Sequence, residues 1–325
     1  MKTLLSRTLS VLRTIVCAAL TIFSCSVAQA QNPIRLMVGF PPGGTTDVIA
    51  RTLANELSKR INREVVVENK PGASGNIAAS SVARAAPDGS TLLFVASTHA
   101  TNASLYRNLN FDTRGDFSVV SMVATSPYVL VVNPTLPVKS LDELTEYLKK
   151  HPGKVNFASA SPGTGQHLAG EIYKKLAKVD ILHVPYKGSA AALSDLIAGR
   201  VEMMFDNIAV MLPHIKSEAL RPLAITTQQR FNGLPQLPTM AEKGYAEFNV
   251  SSWFAVVAPA KTRGDYLDKL NHSINEIIKS DEFVKQLADF GAAPMPSTRE
   301  QSSAYVEAEI ERWQKVINDL GIRIN

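Results

Sequence analysis

Short apolar runs, each about the length of one strand, alternate along this chain with stretches whose apolar residues recur every three or four positions. Ile34–Gly39, Glu64–Asn69 and Thr91–Ala96 read as the first strands. Between the first two, Val48, Ile49, Leu53, Leu57 and Ile61 share one side of a helix that Thr46 or Asp47 can cap. A second helix follows Pro71-Gly72-Ala73-Ser74-Gly75 and stops at Pro87-Asp88-Gly89. Tyr128–Val132, ahead of Asn133-Pro134, reads as a strand crossing to a second set of elements. There Ser140-x-x-Glu143 opens a helix. Lys154–Ser159, Asp180–Pro185, Arg200–Asp206 and Leu220–Thr226 follow as strands, with helices at Gly165–Ala177 and Ser189–Ala198, the latter closed by Gly199. Trp253–Ala258 reads as a return strand. Helices at Asp265–Lys279 and Asp281–Phe290, and a long one capped by Ser297-x-x-Glu300 and closed by Gly321, end the chain.

This alternation predicts α/β architecture with parallel sheets. A chain that leaves one half near Val129 and returns near Val256 predicts two lobes joined by two crossing strands, the plan of a clamshell binding protein. The expected division is residues 31–128 plus 257–325 for one lobe and 129–256 for the other.

Two loops in this pattern look alike. Val38-Gly39-Phe40-Pro41-Pro42-Gly43-Gly44-Thr45-Thr46-Asp47 is matched about 120 positions later by Phe157 to His167, which contains Ser159, Ser161, Gly163, Thr164, Gly165 and Gln166. In each, a strand runs into a Pro/Gly/Ser/Thr loop and a helix starts at once. Such a loop aims free backbone N–H groups and the positive end of a helix at whatever lies above it. Two of them suggest one anion clamped between two lobes.

Phe40, Pro42, Gly43, Gly44, Thr45 and Thr46 are the candidate ligand contacts of the first loop. Ser159, Ser161, Gly163, Thr164, Gly165 and Gln166 are those of the second. His167 lies in the next helical turn, where it can meet the ligand or serve the loop itself. Ser97 and Thr98 follow a strand end and are further candidate donors, because ligands of open α/β sheets sit at carboxyl ends of strands. Asp206 could receive an amine, hold a water or cap the next helix, the last being favoured. Asp47 reads as a cap rather than an anion ligand, and Lys187 as a solvated cation.

The first 30 residues change the picture of location. Lys2, Arg7 and Arg13 precede the uncharged, mostly apolar Thr14–Val27, and Ala28-Gln29-Ala30 is a small-x-small cleavage signal. The apolar run is shorter than the roughly 20 residues needed to span a bilayer, so a cleaved secretory signal is expected, with Gln31 first in the mature chain. Both cysteines, Cys17 and Cys25, leave with it, and the net charge falls from +5 to +2. A cysteine-free exported chain suits a bacterial periplasm. The mild charge, with no Lys/Arg cluster, argues against nucleic acid.

Enzyme patterns are absent. There is no G-x-S-x-G elbow, no H-E-x-x-H and no phosphate loop ending in G-K-[ST], and the six histidines lack zinc spacing. A dinucleotide oxidoreductase is the best enzymatic alternative, since Glu68 stands at a strand end past Gly44. Gly39, Gly43 and Gly44 nevertheless do not make G-x-G-x-x-G.

The chain resembles the periplasmic solute-binding proteins of tripartite tricarboxylate transporters, the TctC or Bug family. The resemblance rests on Gly39-Phe-Pro-Pro-Gly-Gly-Thr-Thr-Asp47, Val67-Glu-Asn-Lys-Pro-Gly-Ala-Ser-Gly-Asn76, Ala85-Ala-Pro-Asp-Gly89, Gly163-Thr-Gly-Gln-His-Leu-Ala-Gly-Glu171, His183-Val-Pro-Tyr-Lys-Gly-Ser189 and Asp195-Leu-Ile-Ala-Gly199. Leu237-Pro-Thr239, Ser252-Trp-Phe254 and Ala258-Pro-Ala260 complete it. It implies a two-lobed type II periplasmic-binding-protein (Venus flytrap) fold. It also implies ligand carboxylates held mainly by backbone amides and ordered waters. Phe40, Gly43, Gly44, Ser159, Gly163, Thr164 and His167 sit at matching positions. Ser161 stands where glycine is frequent, Ala103 where proline is common and Ser90 where tyrosine is frequent, so Ser161 is expected to alter the distal pocket.

The function expected is capture of a small carboxylate (a di- or tricarboxylate, an acidic amino acid or an aromatic acid) for delivery to membrane permease subunits of such a transporter. A monomer with no cofactor and no metal is expected. A sensory receptor of the same fold is the alternative.

Overall fold

The computed structural model describes residues 32–323; the proposed signal segment, its cleavage motif, Cys17 and Cys25 lie outside the described residues. The chain runs β1(Ile34–Val38), α1(Thr45–Ile61), β2(Val65–Asn69), a 3₁₀ turn at Ala73–Gly75, α2(Asn76–Ala83), β3(Thr91–Ala96), α3(Thr98–Leu105) and β4(Phe117–Val132). It continues α4(Leu141–Lys150), β5(Asn156–Ser159), α5(Gly165–Ala177), β6(Leu182–Pro185), α6(Ser189–Ile197), β7(Met203–Asn207), α7(Ile208–Lys216), β8(Arg221–Ile225) and β9(Ser251–Pro259). It ends α8(Gly264–Ile278), α9(Asp281–Asp289), β10(Ala293–Pro294) and α10(Arg299–Leu320).

One sheet has the order β2-β1-β3-β9-β4-β7-β5-β6, with β8 and β10 also pairing with β4. At one end β1 pairs in parallel with β2 and β3; at the other, β5 pairs in parallel with β6 and β7. The antiparallel strands β4 and β9 join the two ends. From Phe117 to Pro127, β4 pairs with β9; from Tyr128 to Val132 it pairs with β7 and β8. Pro127 offers no backbone N–H, so a proline is tolerated where the strand leaves one partner and takes others.

The core follows the periodicity. Ile49, Leu53 and Leu57 of α1 pack with Ile34, Leu36 and Val38 of β1 and with Leu267, Leu270 and Ile274 of α8. Val129 and Val131 pack with Leu193, Leu196 and Met204 in the other half. Trp253 and Trp313 both donate their indole N–H to Glu309 Oε2 at 3.0 Å, which fastens α10 to β9 with the carboxylate satisfied in the interior.

Four features differ from the sequence reading. The crossing strand begins at Phe117, not Tyr128. Ser118, Thr125 and Ser126 break up its apolar run, but their hydroxyls bond to the carbonyls of Ala260, Ser252 and Gly291. Helix α3 has little apolar periodicity and was not legible, while α7, expected only as a helix following Asp206, contains Pro213 and gave no bounds. The N-cap of α1 is Gly44, without a side-chain bond, rather than Thr46 or Asp47. The capping box of α10 is Thr298 with Gln301, one position later than Ser297 with Glu300.

Candidate functional site

Loops at the carboxyl ends of β1, β3, β5, β6 and β7 converge on a cavity of about 90 Å³, with Tyr128 of β4 and Ser252 of β9 at its wall. If one water takes roughly 10–15 Å³ of such space, the cavity accommodates about six to nine water-sized groups. Five helices begin at this wall: α1, α3, α5, α6 and α7. Four of them, capped by Gly44, Ser97, Gly188 and Asn207, carry no side-chain cap bond. Each start leaves first-turn N–H groups unspent and carries roughly half a positive charge. Among the described residues, no acidic side chain lines the cavity and Lys187, exposed at its rim, is the sole charged one.

In the first loop, Asp47 is turned away from the cavity. Its carboxylate accepts from the Gly43 N–H at 3.0 Å, from Asn69 Nδ2 at 2.8 Å and from Arg51 Nε at 3.0 Å. Burial pushes its pKa up, but these bonds outweigh burial and hold it below the usual carboxylate range. Asn69 also donates to the Phe40 carbonyl at 3.0 Å, so the loop is braced against the end of β2. The negative charge is spent on the scaffold, and Gly44, Thr45 and Thr46 are left at the wall. The Thr45 hydroxyl is buried without a partner.

In the second loop, Thr164 caps α5, its Oγ1 accepting from the His167 N–H at 3.4 Å. Gly165 is fixed by close approach, because a Cβ there would lie 2.4 Å from the Tyr128 hydroxyl. Gln166 accepts from the Ala160 N–H at 2.8 Å and donates to Ser189 Oγ at 2.9 Å and to Asp206 Oδ1 at 2.5 Å. Burial pushes Asp206 up to about 6 against the bonds from Gln166, the Asn207 N–H and Ser189. His167 takes the Gly163 N–H on Nδ1 at 3.0 Å and stacks on His183 with ring centroids 3.9 Å apart. Burial first, and the neighbouring His183 second, lower His167 to about 3; burial lowers His183 to about 4. Both rings are neutral at pH 7.

Ten of the residues singled out from sequence line this cavity: Phe40, Pro42, Gly44, Thr45, Thr46, Ser97, Thr98, Thr164, Gly165 and Gln166. Six do not. The Gly43 N–H is taken by Asp47, and the Gly163 N–H by His167. Ser159 is fully buried and bonds His183 Nε2 at 2.6 Å, while Ser161 bonds Ser74 at 2.9 Å rather than shaping the pocket. His167 serves its own loop, and Asp206 supports Gln166 from behind the wall instead of capping α7. Glu68 pairs with Arg35 through two bonds of 2.8 and 2.9 Å on the surface, not with anything in the cavity.

Ser189, Asn207, Tyr128 and Ser252 line the cavity and were not singled out. The first two follow the strand-end rule already applied to Ser97. The last two belong to the joining strands and carried no local signal.

The family described as "Tripartite tricarboxylate transporter family receptor" matches residues 49–322. Protein BugT of Bordetella pertussis (strain Tohama I) is 41% identical over 295 residues, covering 90% of each chain. The structure of R. palustris Rpa4515 with adipate superimposes with a TM-score of 0.87 at 38% identity, covering 91% of this chain and 99% of that one. MatC from Rhodopseudomonas palustris with bound malate gives 0.83 at 30% identity, covering 88% and 98%. Among the described residues no helix is long and apolar enough to cross a membrane.

Proposed function

We propose that this chain, which belongs to the tripartite tricarboxylate transporter receptor family, captures a short dicarboxylate in the periplasm and carries it to the permease subunits of such a transporter. The observation that carries this reading is the wall of the cavity: five helix starts, hydroxyl donors and no carboxylate. Helices α1 and α3 approach from the β1–β3 end of the sheet, and α5, α6 and α7 from the β5–β7 end. One carboxylate at each group accounts for both, with Lys187 drawing the anion in.

Cavity size suits a small carboxylate and excludes a ligand as large as a dinucleotide, and the two separate groups of helix starts favour an acid with two carboxylates. That two neighbours hold adipate and malate supports the same class. The proposed lobes are residues 31–128 plus 257–325 and residues 129–256, hinged where β4 changes partners beside β9. Closure on the ligand is a population shift between two arrangements of these lobes. The working form is a monomer without cofactor, exported by a cleaved signal, and no catalytic step is assigned to it.

Titration calorimetry with malate, adipate and the monomethyl ester of each tests the bridge. Hydrogen bonds to a charged group contribute about 1.5–3 kcal/mol, so the esters are expected to bind roughly 10- to 150-fold more weakly. Equal affinity for diacid and ester would contradict a ligand held at both ends.

A further inference from the structure

Two segments distant in sequence meet away from the cavity wall. Ser74 lies in the turn after β2, in the half of the sheet built on β1; Ser161, Pro162 and Gly163 lie in the loop after β5, in the other half. The Ser74 hydroxyl donates to the Pro162 carbonyl at 2.7 Å, and it lies 2.9 Å from the Ser161 hydroxyl and 3.3 Å from the Tyr106 hydroxyl. A serine hydroxyl has one proton and two acceptor sites. With its proton given to Pro162, it accepts from Ser161 and Tyr106, and its capacity is full. Close by, Thr101 Oγ1 donates to the Gly163 carbonyl at 2.9 Å. Ser74 and Thr101 are 4% and 1% exposed, so these bonds are shielded from water.

The Ser74 turn is held in a costly shape. Residues 72 to 75 all have positive φ, at 134°, 47°, 53° and 94°, and two of them, Ala73 and Ser74, are not glycine. A left-handed conformation is costly for any residue other than glycine. Such strain persists where surrounding contacts impose it. Here Asn102 Nδ2 donates to the Ser74 carbonyl at 3.0 Å and fixes the hydroxyl toward the opposite loop.

We propose that Ser74 and Ser161 form a latch that joins the two lobes directly, independently of what occupies the cavity, and biases the protein toward its closed form. The Ser74–Ser161 bond joins two side-chain hydroxyls, so it depends on the residue at position 161 and not on the backbone of the loop. The latch raises apparent affinity without touching the ligand, by enlarging the fraction of molecules already competent to hold it. It rests on the hinged two-lobe reading of the proposed function.

The test is a distance measurement by pulsed electron spin resonance. Spin labels are attached at Asn55→Cys on α1 and Ser194→Cys on α6, both exposed, in protein that begins at Gln31 and so has no other cysteine. The parent, Ser161→Ala and Ser74→Ala are compared without added ligand. A hydrogen bond contributes on the order of 1 kcal/mol, so Ser161→Ala is expected to lower the ratio of short to long distances about fivefold, and Ser74→Ala further. Circular dichroism and the melting midpoint check folding; if Ser74→Ala does not fold, Ser161→Ala decides alone. Distance distributions that superimpose on the parent overturn the latch. Malate or adipate added to the same labelled protein tests the hinge separately. Distances shortened by ligand but unaltered by the substitutions would remove the latch and leave the hinge standing.

Discussion

Gly44→Ser should strengthen the fold and weaken binding at once. Gly44 is the N-cap of α1 with φ −82° and ψ 166°, the extended geometry that a capping serine adopts. A Cβ there meets no atom within 4 Å. The new hydroxyl can therefore accept from a first-turn N–H of α1, a group with no side-chain cap in the parent. Serine exceeds glycine as an N-cap by a few tenths of a kcal/mol, roughly. For a protein of this size that corresponds to a rise of about 1 °C in melting midpoint. The same N–H group is one that the account assigns to a ligand carboxylate. Losing a bond to a charged partner costs about 1.5–3 kcal/mol, so the dissociation constant should rise roughly 10- to 150-fold. Calorimetric unfolding and ligand titration on one preparation read both effects. Unchanged affinity with a raised melting midpoint would refute the role of α1 in holding the ligand. A melting midpoint lower by several degrees would show that the loop needs glycine for folding.

The remaining predictions separate scaffold from site. Gly163→Ala should destabilise the protein by about 1–2 kcal/mol, because Gly163 has φ 80°; an unaltered urea midpoint would contradict this. His167 and His183 titrate in the folded chain near 3 and 4, below the ordinary 6.5, so an unfolded chain takes up protons first. Their contribution is present above about pH 6.5 and lost as pH falls toward 4 and 3. Urea unfolding should show that loss, and a replacement of both rings by asparagine should flatten it. Asp206 acts with the opposite sign. Its folded value near 6 lies above 3.8, so its favourable contribution is present below about pH 3.8 and lost as pH rises through about 6. Asp206→Asn should therefore remove a penalty of at most about 3 kcal/mol above pH 6, and a variant less stable than the parent at pH 7.5 would contradict the assignment.

The elements were legible where local rules act alone. Thr91–Ala96 and Gly165–Ala177 carry period and boundary signals in their own residues, and the observed ends coincide with those expected. The strand from Phe117 was obscured because its serines and threonine are satisfied by Ala260, Ser252 and Gly291, more than a hundred positions away. The same distinction runs through the site. Composition marked both loops, but it could not say which N–H groups remain free. Those of Gly43 and Gly163 are consumed by Asp47 and His167. Ser161 was singled out for the pocket, whereas its partner Ser74 lies 87 positions earlier and is brought to it by the topology. Tyr128 and Ser252 reach the wall because two joining strands pass beneath it, which no local pattern announces.

A thermal-shift panel on refolded, ligand-stripped protein tests the central claim most directly. It compares malate, succinate and adipate with their monocarboxylate analogues, a tricarboxylate and an aromatic acid. A ligand present at 100 times its dissociation constant adds about 2.7 kcal/mol of stability. A clear upward shift is expected with a short dicarboxylate, and little or none with the monocarboxylates. No shift with any dicarboxylate, or an equal shift with acids bearing a single carboxylate, would contradict a cavity that holds one carboxylate at each group of helix starts.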